Sequence, residues 1–258
     1  MYIADLFTLK KIIKRMRIAI EAQRIFRKNK HGMDFVALET IKELQKLDTA
    51  NEYFIITARG EDCNIINETL NFKIISINCS FYPFWEQIAL PFILWKIKPD
   101  LLHCTSNTGP VACRQKMIVT LHDVIFLEKR DAPRKSLYQT FGWYYRKLIV
   151  PFVLKNCKKI ITVSDYEANR ISEVTGIDNT MITTVYNGLS KHFIRRENPW
   201  SISELYIPDK DFIFFLGNTD PKKNTDNVLR AYAEYVSSAT EKPLPLLIAD
   251  LKREIVDS

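Results

Sequence analysis

Short apolar runs of strand length alternate along this chain with stretches in which apolar residues recur every three or four positions. Runs at 17–21, 53–57, 73–77, 101–104, 117–121, 159–163 and 183–186 predict strands. Their continuous, non-alternating apolar character marks strands covered on both faces. Between the first two, Met33, Val36, Ala37, Ile41, Leu44 and Leu47 recur at helical spacing. Residues 138–156 predict a second long helix and 166–174 a third, with Ser164 or Asp165 placed to cap it. Strand and helix in turn predict an α/β fold, a parallel sheet with helices on both faces.

After Asn187-Gly188, a turn dipeptide that tolerates positive φ, the pattern is irregular until 210. It then resumes with a strand at 212–216, a helix at 224–236 and a strand at 244–249. A strand-helix-strand unit of that size cannot cover both faces of its own sheet. It must pack on the first domain, bind another chain or stay poorly ordered. The expected organisation is a basic extension at 1–15, a first domain at 16–189, a linker at 190–209 and the start of a second domain at 210–258.

Composition narrows the setting. With 258 residues and 47% hydrophobic content, the chain has the material for a sizeable core. Its five cysteines are an odd number without CxxC spacing, which argues for reduced thiols in a cytoplasmic compartment and against a disulfide framework or zinc site. The net charge of +7 is concentrated in clusters such as Arg24, Arg27, Lys28 and Lys30, and Lys155, Lys158 and Lys159, which favour anionic partners. No RNP-like motif, zinc finger or helix-turn-helix is evident, so nucleic acid ranks below a sugar nucleotide or the anionic head groups of a membrane's inner face.

No apolar run reaches 18 residues, the length a spanning helix needs. The segment 83–98 carries Glu86 and Pro91 and reads as a core helix; the alternative is an interfacial helix using Trp85, Phe92 and Trp95. Residues 1–15 lack a signal peptide's apolar stretch and cleavage site. Either Leu6, Leu9, Ile13 and Met16 share one face of a basic surface helix, or the segment is an appendage before a first strand that begins naturally at Met16. Neither GxGxxG nor GxxxxGK[ST] occurs, which weakens dehydrogenase and P-loop readings.

Candidate chemistry collects at strand ends. His122 and Asp123 follow the run MIVTL at its carboxyl end, the edge where open α/β sheets hold ligands. His122 is there either a candidate ligand contact or a surface histidine capping the strand, and Asp123 is a candidate for holding the loop or the imidazole. His103 ends another strand, where packing is the plainer role, and Asn107 and Thr108 in the loop after it are candidates for meeting an acceptor. Gly32 lets backbone approach a ligand closely, or serves simply as a turn glycine. In FIFFLGNTDPKKNTDNVLRAYAEY, a strand, a polar turn and a helix place Lys222 and Lys223 beside unpaired helix N–H groups, an arrangement suited to phosphate.

Several of these segments, together and in order, resemble the GT-B glycosyltransferases of the retaining family 4: RIAIEAQRIFRKNKHGMDFVALETIKELQ, DLLHCTSNTGP, MIVTLHDVIFLE, CKKIITVSDYEANRI, VYNGLSKHF and FLGNTDPKKNTDNVLRAY. The resemblance spans 16 to about 250. It implies a Rossmann-like N-terminal, acceptor-side domain and a second, donor-side domain. It also implies transfer of a hexose, mannose or glucose, from a nucleotide-sugar to a glycan or lipid-linked acceptor with retention, as in polysaccharide biosynthesis. By the same resemblance His122 contacts the transferred sugar, Lys223 and the Gly32 loop meet the donor phosphates, and no metal or other cofactor is needed. Two departures stand out. The family's arginine after the turn glycine is here Asn218, and the family's Glu-x7-Glu motif would lie beyond Ser258. The expectation is therefore a whole acceptor-side domain with a donor-side domain cut short and inactive alone, or a non-catalytic fragment that binds glycan, membrane or protein.

Overall fold

The computed structural model describes residues 15–127, 137–189, 211–217 and 224–249, which fall into two compact units, Met1–Lys191 and His192–Ser258. In the first, seven strands form one wholly parallel sheet in the order β3-β2-β1-β4-β5-β6-β7. They are β1 (Arg17–Glu21), β2 (Glu52–Ala58), β3 (Phe72–Ile77), β4 (Leu101–Cys104), β5 (Lys116–Thr120), β6 (Lys159–Thr162) and β7 (Ile182–Thr184).

Each crossover carries the apolar face that the sheet needs. Helix α1 (Gly32–Leu47) links β1 to β2 and buries Ala37, Leu38 and Ile41 against Ile20, Ile55 and Phe72. On the other face Trp85, Leu90, Leu94, Val150, Val153 and Ile171 cover Ala19, Ile56, Leu102 and Val119. Neighbours in sequence thus serve opposite cores: Ala19 faces one layer and Ile20 the other, as do Ile56 and Ile55. This is the period-2 geometry of a strand covered twice, and the fold is a Rossmann-like parallel sheet.

The β3–β4 crossover is α2 (Tyr82–Phe84), a π-helical turn at Trp85–Ala89, and α3 (Leu90–Ile97). Pro91 has no N–H to continue the i−4 ladder, and Leu90 N–H reaches back five residues to Trp85 O. Of the three aromatics of the interfacial alternative, Trp85 is fully buried in the core, whereas Phe92 and Trp95 are exposed. Helix α4 (Leu137–Asn156) precedes β6, and α5 (Asp165–Thr175) follows it with Ser164 Oγ accepting from Glu167 N–H as its N-cap.

The second unit holds two parallel strands, β8 (Ile213–Leu216) and β9 (Leu246–Ala249), joined through α6 (Thr225–Ser238). Phe212, Ile213, Phe214 and Leu216 are exposed.

Candidate functional site

Strand order reverses direction between β1 and β4, and the carboxyl ends of these two strands bound a crevice where parallel sheets hold ligands. β1 ends there in Glu21, whose side chain is only 1% exposed. Its carboxylate accepts the N–H of Gln23 (3.0 Å) and of Thr105 (3.3 Å), and Thr105 Oγ1 donates to the Glu21 carbonyl at 2.8 Å. Burial pushes the Glu21 carboxyl up to about 7; the charge of Glu86 adds to the rise, while the Gln23 and Thr105 amides and Arg24 oppose it.

The β4 loop carries the strain of the site. Asn107 is buried with φ at 65°, the left-handed region that asparagine tolerates better than most residues. Its N–H donates to Thr120 O at 3.1 Å, and its Oδ1 accepts the N–H of His122 at 2.6 Å. The Asn107 side chain is thus committed to fixing the start of the next loop. The His122 imidazole lies 3.0 Å, through Nε2, from Thr105 O. A carbonyl only accepts, so Nε2 carries the proton and Nδ1 keeps its lone pair. Burial lowers the His122 pKa, against the Thr105 carbonyl and Asp123, and the ring is neutral at pH 7.

Asp123 holds the loop: its Oδ1 accepts Ile125 N–H at 3.2 Å and opens the 3-10 turn Ile125–Leu127. His103 pairs its Nε2 with Thr120 Oγ1 at 2.8 Å. Burial, with His122 nearby, brings its pKa down to about 4. It is a neutral packing residue.

Thr108 belongs to a polar knot that sequence reasoning missed. The fully buried Glu86, in the π turn, accepts hydrogen bonds from Thr108 Oγ1, from Tyr82 OH at 2.6 Å and from Tyr145 OH at 2.6 Å. Burial and the carboxylate drive both tyrosine pKa values upward. One signal was available: a glutamate inside the apolar segment PFWEQIAL needs buried partners. Glu21, the one charge closing RIAIE, carried a similar signal.

Gly32 lies in α1 as its first residue, one step later than the loop expected. Its φ is ordinary, and an added Cβ would meet nothing within 4 Å, so neither backbone nor packing demands glycine and the space beside it is open. The structure therefore brings Asn107, His122 and Asp123 together on the β4 and β5 loops, ties Thr108 to Glu86, and leaves Gly32 at the mouth of α1. Lys223 lies outside the described residues, as do Lys222 and Asn218.

The family model for Glycosyltransferase Family 4 matches residues 31–192, more than half of the chain. Among solved structures, the chain is similar to Anabaena Alr3699/HepE in complex with UDP-glucose, at 11% identity and a TM-score of 0.52 over 92% of this chain and 70% of that one. It is also similar to a glycosyltransferase from Rickettsia africae ESF-5, at 16% identity and a TM-score of 0.44 over 95% of this chain and 70% of that one. At such identity the HepE likeness concerns the fold. No curated protein matches the chain.

Proposed function

The chain belongs to Glycosyltransferase Family 4, and on that premise we propose that its first unit is the acceptor-side wall of an enzyme that moves a hexose, glucose or mannose, from a nucleoside diphosphate to a glycan or lipid-linked acceptor with retention. The observation that carries this reading is the neutral His122, locked by Asn107 and Thr105 at the carboxyl edge of β5.

The chemistry assigned to the residues follows from their protonation. With Nε2–H committed to Thr105 O, Nδ1 is free to accept a sugar hydroxyl and orient the ring, without placing a positive charge beside an oxocarbenium-like centre. The departing diphosphate needs fixed positive charge. We assign that role to Lys223; within the first unit, the open space at Gly32 leaves room for an anion to approach the N-terminal amides of α1. No metal or other cofactor is invoked for these roles. The UDP-glucose bound to HepE supports a nucleotide-sugar as partner.

A second aspect rests on the outer surface. Phe81, Phe84, Ile88, Phe92 and Trp95 are exposed, as are Phe141, Tyr144, Leu148 and Phe152 of α4, and the Phe81 and Phe141 rings lie 6.1 Å apart. Lys96 stands over Phe92 and Lys147 over Trp143. No helix among the described residues is long and apolar enough to cross a membrane. Aromatics fringed by lysine support peripheral contact with an anionic bilayer, at the cytoplasmic face.

Product analysis against a panel of nucleotide-sugars tests transfer. A single donor giving a retained hexosyl product is the result expected, with His122→Ala lowering kcat about 10²-fold. Saturable glycan or vesicle binding without turnover of any donor would instead identify a binding protein.

A further inference from the structure

A hollow of about 210 Å³ opens at the carboxyl ends of β1, β2 and β3, on the opposite side of the β1–β4 crevice from His122. Gln23, Arg24, Arg27, Arg59, Asn78 and Ser80 are among its walls, and no carboxylate lines it. Its three arginines come from two loops that the fold clamps together. A Cβ at Gly60 would fall 2.1 Å from Phe26 O, so only glycine lets the β2 loop lie on the β1 loop this closely. Ala58 N–H donates to Gln23 O at 3.0 Å and Asp62 N–H to Phe26 O at 3.0 Å, while Ala22, Ile25 and Phe26 are buried beneath.

The charges around the hollow do not cancel. Arg27 pairs with Asp34, and Arg24 lies over the Tyr82 ring at 5.1 Å, its charge acting on the Glu21 carboxyl. Lys28 and Lys30, in the same loop, pair with Glu61 and Asp62. Among the described residues neither Arg24 nor Arg59 forms an ion pair. Arg24 and Arg59 thus line one cavity without an ion-pair partner, beside Arg27, and the planar forks of guanidinium groups match the oxygens of a phosphoryl group.

We propose that this hollow seats a phosphoryl group of the acceptor, held by Arg24, Arg27 and Arg59. The word acceptor rests on the sugar-transfer reading above; the anion site itself is testable without turnover. Strand spacing puts β5, which ends at the His122 loop, about 10 Å from β1, a separation that a sugar joined to a phosphate can bridge.

Calorimetric titration of the full chain at low salt uses three probes: inorganic pyrophosphate, an alkyl phosphate below its micellar concentration, and UDP. Saturable one-to-one binding of pyrophosphate or alkyl phosphate is expected, weakened at least tenfold by the double substitution Arg24→Gln/Arg59→Gln and unchanged by Lys116→Gln at the opposite end of β5. Tighter binding of the alkyl phosphate would place the phosphoryl group on a lipid, and tighter binding of pyrophosphate on a soluble acceptor. Arg24→Lys/Arg59→Lys keeps the charge and loses the forks; intermediate affinity with an unchanged Tm separates recognition from folding. Equal loss in Lys116→Gln, no saturable binding of either phosphate, or UDP as the tightest ligand at these arginines overturns the proposal. Failure of sugar transfer with this binding intact would overturn the transferase reading and leave the anion site standing.

Discussion

The two sides of the β1–β4 crevice are built from the same parallel sheet and differ in how they treat charge. On the β1–β3 side, arginines converge on a hollow held by Gly60. On the β4–β5 side, His103 and His122 are both kept neutral, and the strain is in the backbone of Asn107. Glu21 and Glu86 join the two. Glu21 binds Thr105 across the crevice, and Glu86 ties Tyr82, which stacks under Arg24, to Thr108. Division of labour follows: one side is suited to hold a fixed anion, the other to orient an uncharged sugar without adding charge of its own.

The largest test of that division removes the joint. Glu86→Ala leaves the Tyr82, Tyr145 and Thr108 hydroxyls facing one another without their acceptor, and should cost about 3–5 kcal/mol in chemical denaturation while damaging both sides together. Glu21→Gln tests the joint through pH. Burial pushes the folded carboxyl up to about 7 from the usual 4.5, so its contribution is fully present below 4.5 and is lost as pH rises through 7. Between those limits the wild type should lose about 3 kcal/mol relative to Glu21→Gln. A constant difference between the two denaturation curves from pH 4.5 to 7 would show that Glu21 titrates normally.

Single-sided changes sharpen the contrast. Gly60→Ala forces the two arginine loops apart and should destabilise by about 2–3 kcal/mol, with loss of pyrophosphate binding and no change in the His122 proton resonances. Asn107→Ala removes both the tolerated left-handed residue and the acceptor for His122 N–H, at about 1–2 kcal/mol. It should perturb those resonances and spare the hollow.

How much of this could be read from the sequence depends on the range of the interaction. β1, β2 and β4 were legible because a strand buried on both faces has to be continuously apolar. β1 and β4 lie at the bounds expected, while the ends of β2 and β5 shift by one residue, as where β5 begins at Lys116. His122 and Asn107 were legible as polar residues at strand ends, but that one fixes the other required contact across 15 residues. Glu21 and Thr105 are 84 residues apart and Tyr145 and Glu86 are 59 apart, distances over which no local pattern signals a bond. The basic run from Arg24 to Lys30 looked uniform in sequence, yet the loop turns Arg24 and Arg27 into the hollow and pairs Lys28 and Lys30 elsewhere. In the second unit the same alternation foretold β8, α6 and β9, but β8 leaves Phe214 and Leu216 exposed, because periodicity reports an element and not its cover.

The most direct measurement is steady-state kinetics with donor and acceptor varied separately, on the wild type, His122→Ala and Arg24→Gln/Arg59→Gln. The account predicts that the histidine variant loses kcat with acceptor KM nearly unchanged, whereas the arginine variant raises acceptor KM about tenfold with kcat and donor KM nearly unchanged. If both variants shift kcat and KM alike, or if the arginine change acts on the donor, the two sides do not divide the work in this way.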